Sequence, residues 1–243
     1  RQWRDLVDTT NDPIISSRKP KGWTSWQRSE DYYSEGLLVW LEVDSILRAQ
    51  SKGKKSIDDF ARAFFHGRDG DYGQRTYTFA DVVATLNAIQ PYDWAGFLTK
   101  RLTENGSGAP LKGFTDNGYR LDYVATPSKY FKEVEKRRKI VDLSYSAGLS
   151  VGKGAEVSSV IWDGPAYKAG LTVGTEILAV NGMAYSDDRL RAAVGAKQPI
   201  RLTIKSDDRI SDVTVNWTGG HRYPVLVKTG NGETGLDRLL APK

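Results

Sequence analysis

The chain has two histidines, His66 and His221, and no cysteine. A catalytic zinc site of the H-E-x-x-H type needs two imidazoles one helical turn apart, a glutamate base and a further glutamate ligand. His66 and His221 are far apart in the sequence and neither lies in such a motif. We therefore expect no metal ligand in this chain. The absence of cysteine also excludes disulfides, thiolate metal sites and cysteine nucleophiles.

Motifs for other common chemistries are missing as well. The sequence contains no G-x-S-x-G nucleophile elbow, no Walker phosphate loop and no G-x-G-x-x-G dinucleotide fingerprint. The basic run from Lys136 to Lys139 follows Glu133 and Glu135, a pattern typical of a solvated helix end. The net charge of +5 over 243 residues is too small for a nucleic-acid-binding signature.

The first half of the chain is predicted to be helical, and its helices would position any site there. The length of 243 residues allows one large domain or two small ones. Apolar periodicity predicts a mostly buried helix from Asp31 to Ala49. Three further helix starts are predicted by the N-cap residues Ser56, Thr78 and Asp93.

Beyond Gly106 the pattern changes to glycines, prolines and short strand-like segments. YRLDYV at Tyr119–Val124, AEVSSVIW, TEILAVNG, PIRLTIKS and VTVNW have the composition of strands. Short helices are predicted at Pro165–Ala169 and near Asp187–Val194. No run of apolar residues is long enough to predict a membrane span.

The run from Asp163 to Gly182, DGPAYKAGLTVGTEILAVNG, resembles the most specific stretch of PDZ domains. In that family a short helix beginning S/G-P-A is followed by A-G-L, a glycine turn and an apolar strand ending in N-G. Pro165 suits the first turn of a helix, Gly170 suits a left-handed helix stop, and Asn181-Gly182 suits a tight turn between strands. The resemblance implies a PDZ domain over residues 144–218.

Upstream, YSAGLSV at Tyr145–Val151 takes the place of the PDZ carboxylate-binding loop. Backbone N–H groups in such a loop bind the C-terminal carboxylate of a peptide without a charged side chain. The resemblance implies a peptide groove lined by six residues: Ala147, Gly148, Leu149, Leu190, Ala193 and Val194. The alternative is that the groove is blocked or serves only to pack against the first domain.

Most of the chain, roughly from Trp3 to Trp217, resembles the glycyl aminopeptidase family, bacterial zinc metallopeptidases with a thermolysin-like catalytic domain and a PDZ domain near the C-terminus. The resemblance rests on EDYYSEGLLVWLEVDSILR, GKKSIDDFARAFFHG and TPSKYFKEVEKRRKIVDLSYSAGLS. It implies a multidomain α plus β chain, in which a thermolysin-like helical half precedes the PDZ domain. We place the helical half at residues 1–125, a linker or helix at 126–143, and a tail that packs back at 219–243.

In related zinc aminopeptidases, a tyrosine three residues before a glycine donates its phenolic O–H to the oxyanion of the tetrahedral intermediate. The matching pattern here is Tyr33-Ser34-Glu35-Gly36, with Tyr32 as the alternate register. A neutral donor at this place stabilises charge that appears only in the transition state. Spacing alone favours two amphipathic tyrosines at a helix start, so the catalytic role comes from the resemblance.

The resemblance implies the C-terminal portion of an aminopeptidase that removes N-terminal glycine or alanine from peptides. Zinc would belong to the parent enzyme, so this chain alone would bind no cofactor and be inactive. Expected partners are the missing N-terminal part of the catalytic domain and peptide substrates or peptide C-termini, without nucleic acid.

A bacterial family of this kind implies a periplasmic or secreted location. The chain begins at Arg1 within a segment typical of the middle of a domain, which favours a fragment. The alternative function is a stand-alone PDZ module that captures peptide C-termini and has no enzymatic role.

Overall fold

The computed structural model describes residues 3–16, 23–67, 70–106 and 108–242. These residues form both helices and sheets, which confirms the predicted α plus β class. The chain divides into two compact units: unit 1 comprises residues 1–19, 28–121 and 227–243, and unit 2 comprises 20–27 and 122–226. Arg1, on which the expectation of a fragment rests, lies outside the described residues.

Unit 1 is built from helices. A 3-10 helix at Asp8–Asn11 precedes α1 (Asp12–Ile15), and the later helices are α3 (Ser34–Gln50), α4 (Ile57–Phe65), α5 (Phe79–Ile89), α6 (Trp94–Thr103), α7 (Lys112–Asp116) and α11 (Gly235–Leu240). Ser56 and Thr78 each form a capping box with an aspartate three residues later, and the Asp93 side chain accepts from Gly96 N–H. All three predicted helix starts are therefore confirmed.

The core of unit 1 lies along one face of α3. Val39, Val43 and Leu47 recur every four residues and are buried with Leu6, Phe60, Leu86, Trp94 and Leu98. Leu37, which the sequence places in a mostly buried helix, is 72% exposed because it lies on another side of α3. None of the described helices combines the length and the apolar composition of a bilayer span.

Two buried acids of α3 hold neighbouring segments. The Glu42 carboxylate accepts from Arg101 Nη2 of α6 at 2.7 Å, and the side chains are 2% and 18% exposed. Asp44 accepts the backbone N–H of Ile57 at the start of α4 at 2.9 Å. Because a buried charge is costly unless it is paired, these contacts fix which elements pack on α3.

Unit 2 contains most of the strands. Its helices are α2 (Thr24–Gln27), α8 (Lys129–Arg138), α9 (Pro165–Lys168) and α10 (Asp187–Gly195). A three-stranded sheet has the order β2 (Val141–Leu143), β3 (Leu149–Val151) and β4 (Val157–Val160). A four-stranded sheet has the order β6 (Met183–Ala184), β5 (Glu176–Val180), β7 (Ile200–Ser206) and β8 (Arg209–Val215).

One further pair of strands joins β1 (Tyr119–Val124) to β9 (Tyr223–Lys228). Two local expectations for the PDZ-like run are met in unit 2. Pro165 begins α9, and Asn181 and Gly182 both have positive φ, +49° and +81°, in the turn between β5 and β6.

Two segments group with a unit from which they are separated in the sequence. Residues 23–27 belong to unit 2, because Trp26 stacks on Trp162 at 5.1 Å and the Ser25 hydroxyl accepts from Trp162 N–H at 2.9 Å. Residues 227–243 belong to unit 1, where Tyr119 donates its phenolic O–H to Asp237 at 2.7 Å. Both groupings rest on contacts between residues more than one hundred positions apart in the sequence.

Replacing Arg101 with alanine should lower the free energy of unfolding of unit 1 by about 3–5 kcal/mol, because the buried Glu42 carboxylate loses its partner. A matched control is Arg62→Ala, which removes a 73% exposed side chain lying 3.7 Å from Asp59. It should cost less than about 1 kcal/mol. Urea denaturation measures both losses, and equal values would contradict the role given to the Glu42–Arg101 pair.

Candidate functional site

Tyr33 stands at the start of α3 with its side chain 65% exposed. Gly36 lies one turn further on the same face of the helix, and a Cβ added there would meet no atom within 4 Å. The helix surface at Gly36 is therefore uncovered. An exposed phenol in such a place can donate a hydrogen bond to a bound molecule.

Tyr32 differs from Tyr33 in its burial and in its hydrogen bonding. It is half-buried, its phenolic O–H donates to Glu30 Oε2 at 3.0 Å, and its ring packs against that of Tyr33 with centroids 4.6 Å apart. Burial and the hydrogen bond to Glu30 raise the pKa of Tyr32 to about 12. Of the two tyrosines, Tyr33 is thus the one that faces solvent.

A buried arginine supports the segment that leads into α3. Arg28 is 3% exposed, and its guanidinium donates to Glu35 at 2.5 Å, to Asp31 at 2.8 Å and to the carbonyl of Arg4 at 2.7 Å. Glu35 follows Tyr33 by two residues, so the pair ties the first turn of α3 in place. The sequence analysis missed this residue, because its partners are identified only in three dimensions.

Neither histidine is part of a metal site in the described chain. His66 is the exposed C-cap residue of α4, as expected for a helix end. His221 lies just before β9 and stacks on Tyr223 with ring centroids 5.8 Å apart. Burial lowers the pKa of the His221 imidazole. Within the described ranges, no group of three or more His, Asp or Glu side chains could hold a metal ion.

The six residues of the predicted peptide groove come together in unit 2. Ala147, Leu149, Leu190, Ala193 and Val194 all belong to its hydrophobic core and are at most 6% exposed. Gly148 is also buried and has φ +80°, which favours glycine. The side chains of these residues fill a core, and the groove that they were predicted to line stays a prediction.

Both edges of β3 are occupied. β3 pairs antiparallel with β4 on one side and with β2 on the other, where Val141 faces Val151 and Leu143 faces Leu149. A peptide that added a strand to β3 would need the edge that β2 holds. In this structure β2, a segment of the chain itself, holds that edge.

Two backbone N–H groups of the loop between β2 and β3 are also hydrogen-bonded within the chain. The N–H groups of Ser146 and Gly148 donate to the carbonyl oxygen of Leu143 at 2.9 and 3.0 Å. The Gly148 N–H, expected to receive a peptide carboxylate, is thus already bonded within the chain. Sequence reasoning placed residues 141–143 in a linker, although the alternation Val141-Asp142-Leu143 is a weak strand signal.

Comparisons with known proteins identify a related fold. No family model and no curated protein matches this sequence. Among solved structures, the chain is similar to an aminopeptidase N family protein from Idiomarina loihiensis, with a TM-score of 0.61 and 18% identity over 91% of this chain. The match covers 38% of that protein, so our chain spans well under half of its length.

A second similarity involves a shorter structure. The HtrA3 PDZ domain bound to the phage-derived ligand FGRWV matches 45% of this chain and 92% of that domain, at 17% identity and a TM-score of 0.25. That score is too low to support an argument. The first similarity shows a shared fold, without showing a shared activity.

The left-handed backbone at Gly148 gives a test of the loop. A Cβ there would lie 3.2 Å from Cδ of Pro165, whereas a Cβ at Gly174, with φ +88°, would meet nothing within 4 Å. Gly174→Ala should therefore cost about 1–2 kcal/mol for the left-handed conformation alone. Gly148→Ala should cost more, because Pro165 must also shift. Thermal unfolding compares the two variants, and a smaller loss at Gly148 would contradict the close packing of this loop.

Proposed function

We propose that the chain is the C-terminal portion of a zinc aminopeptidase that removes N-terminal glycine or alanine from peptides. In this proposal Tyr33 donates its phenolic O–H to the oxyanion of the tetrahedral intermediate. The observation that carries the proposal is the exposed Tyr33 phenol one turn before the uncovered helix surface at Gly36. The fold shared with an aminopeptidase N family protein over most of the chain supports the same class.

The chemistry asked of Tyr33 is that of a positioned neutral donor. Negative charge develops on the carbonyl oxygen as a nucleophile attacks, and a hydrogen bond made only then lowers the barrier. The contacts of Arg28 with Glu35 and Asp31 hold the start of α3, so the backbone that carries the phenol is fixed before the reaction.

In this proposal the catalytic zinc is bound by residues outside this chain. The described side chains form no suitable ligand group, so the fit of a zinc ion to them fails. Any catalytic zinc would be held by the rest of a longer protein, and this chain would contribute the oxyanion donor. The periplasmic or secreted location remains part of the proposal.

Unit 2 has a second role in the proposal, the binding of peptide C-termini. Its supporting observation is that the loop before β3 directs two N–H groups, from Ser146 and Gly148, at a single oxygen atom. A peptide carboxylate is an oxygen acceptor of the same kind. Since that oxygen is now the carbonyl of Leu143, a peptide would have to replace β2.

Tyr33→Phe in the longer protein that carries the zinc-binding segment should lower kcat by about 10²–10³-fold, because one oxyanion donor is lost. KM should change little, since the hydrogen bond forms mainly in the transition state. Steady-state hydrolysis of glycyl and alanyl amides measures both constants.

Tyr77→Phe is a matched control, because Tyr77 is also in unit 1 and is 67% exposed. It should leave kcat unchanged. An unchanged kcat for Tyr33→Phe together with a collapse for Tyr32→Phe would show that the alternate register is the catalytic one. Unchanged rates for both would rule out a tyrosine donor at this helix.

A further inference from the structure

β2 lies against β3 as an extended peptide ligand would. It runs antiparallel to β3, and its last residue, Leu143, meets the loop that the resemblance identifies as a carboxylate-binding loop. The Leu143 carbonyl oxygen accepts from Ser146 N–H and Gly148 N–H. Leu143 thus stands where the terminal residue of a peptide would stand.

The side chains of β2 alternate between core and polar contacts. Val141 and Leu143 are each 1% exposed and belong to the core of unit 2 with Leu190 and Val194 of α10. Asp142, between them, accepts from Ser144 N–H at 3.0 Å and from the Ser150 hydroxyl at 3.1 Å. An occupant of this edge therefore needs two aliphatic side chains that flank an acidic one.

The carboxylate of Glu135 links β2 to the two helices α8 and α10. Glu135 Oε1 on α8 accepts the backbone N–H of Asp142 at 2.7 Å and Nη2 of Arg191 on α10 at 3.0 Å. Glu135 is 8% exposed, whereas the Arg191 side chain is 30% exposed. Loss of this carboxylate would free a backbone N–H of β2 and unlink α8 from α10 together.

The connection into β2 is short and begins at the C-cap residue of α8. Lys139, between α8 and β2, has φ +54°, a left-handed conformation that a non-glycine residue rarely adopts. β2 itself has three residues and lies at the edge of its sheet. Short edge strands open at a lower free-energy cost than central strands.

We infer that β2 is a resident strand that closes the peptide groove of unit 2, and that a peptide enters by displacing it. The peptide that fits is extended, with an aliphatic C-terminal residue, an acidic residue before it and an aliphatic residue before that. The inference rests on the proposed peptide-binding role of unit 2. Release of Glu135 from Arg191 favours the open state.

Native-state hydrogen exchange on the unmodified chain tests the release of β2. The amides of residues 141–143 should show protection at least about tenfold below that of Leu202 in β7, because β2 opens locally while the core strand does not. Since no substitution is needed, the result does not depend on whether a variant folds. Exchange of β2 only by global unfolding would overturn the inference.

Titration with the peptide KIVDL, the sequence of residues 139–143, tests competition for the groove. Glu135→Ala and Arg191→Ala should each bind it about tenfold more tightly than the unmodified chain, because the link between β2, α8 and α10 is lost and a larger fraction is open. Glu133→Ala, which removes an exposed acid on the same helix, should bind as the unmodified chain does. Amidation of the peptide should weaken binding, since the loop N–H groups prefer a carboxylate.

The outcomes separate the inference from the proposed function. Equal binding by all variants while the β2 amides stay protected would overturn the inference, because the peptide would then bind elsewhere. Local opening of β2 without binding of the peptide to any variant would remove the peptide-binding role of unit 2, yet would support the release of β2.

Discussion

A buried backbone carbonyl or N–H group must find a hydrogen-bond partner, and in unit 2 this constraint is met by the chain itself. The Leu143 carbonyl takes the N–H groups of Ser146 and Gly148, and β2 takes the edge of β3. With these groups satisfied, Val141 and Leu143 can enter the core and complete its packing. An empty groove would instead leave both the β3 edge and the loop N–H groups in need of water or a ligand.

Unit 1 meets the corresponding constraint for charges. Glu42 pairs with Arg101, Arg28 pairs with Glu35, and each pair includes a side chain that is at most 3% exposed. Breaking such a pair costs more than the pair contributes, since one charge stays buried. The result is a rigid start of α3, which leaves Tyr33 free to face outward.

Local sequence signals predicted the parts of the fold that local chemistry decides. The caps at Ser56, Thr78 and Asp93 require only residues three positions apart, and the turn at Asn181-Gly182 requires only a positive φ. The clustering of Ala147 with Leu190 was implied by the resemblance to PDZ domains. In contrast, β2 is too short to produce a clear alternation, and the contact between Glu135 and Arg191 joins residues 56 positions apart. The exposure of Tyr33 likewise depends on what packs around α3, which spacing does not contain.

The most direct test of this account is the hydrogen bond between Gly148 N–H and the Leu143 carbonyl, measured by NMR as a scalar coupling across the bond. The account predicts that coupling, together with cross-strand NOEs between residues 141–143 and 149–151, in the chain without any peptide. Absence of both, with a Gly148 amide that exchanges freely with solvent, would contradict the central claim that β2 occupies the groove.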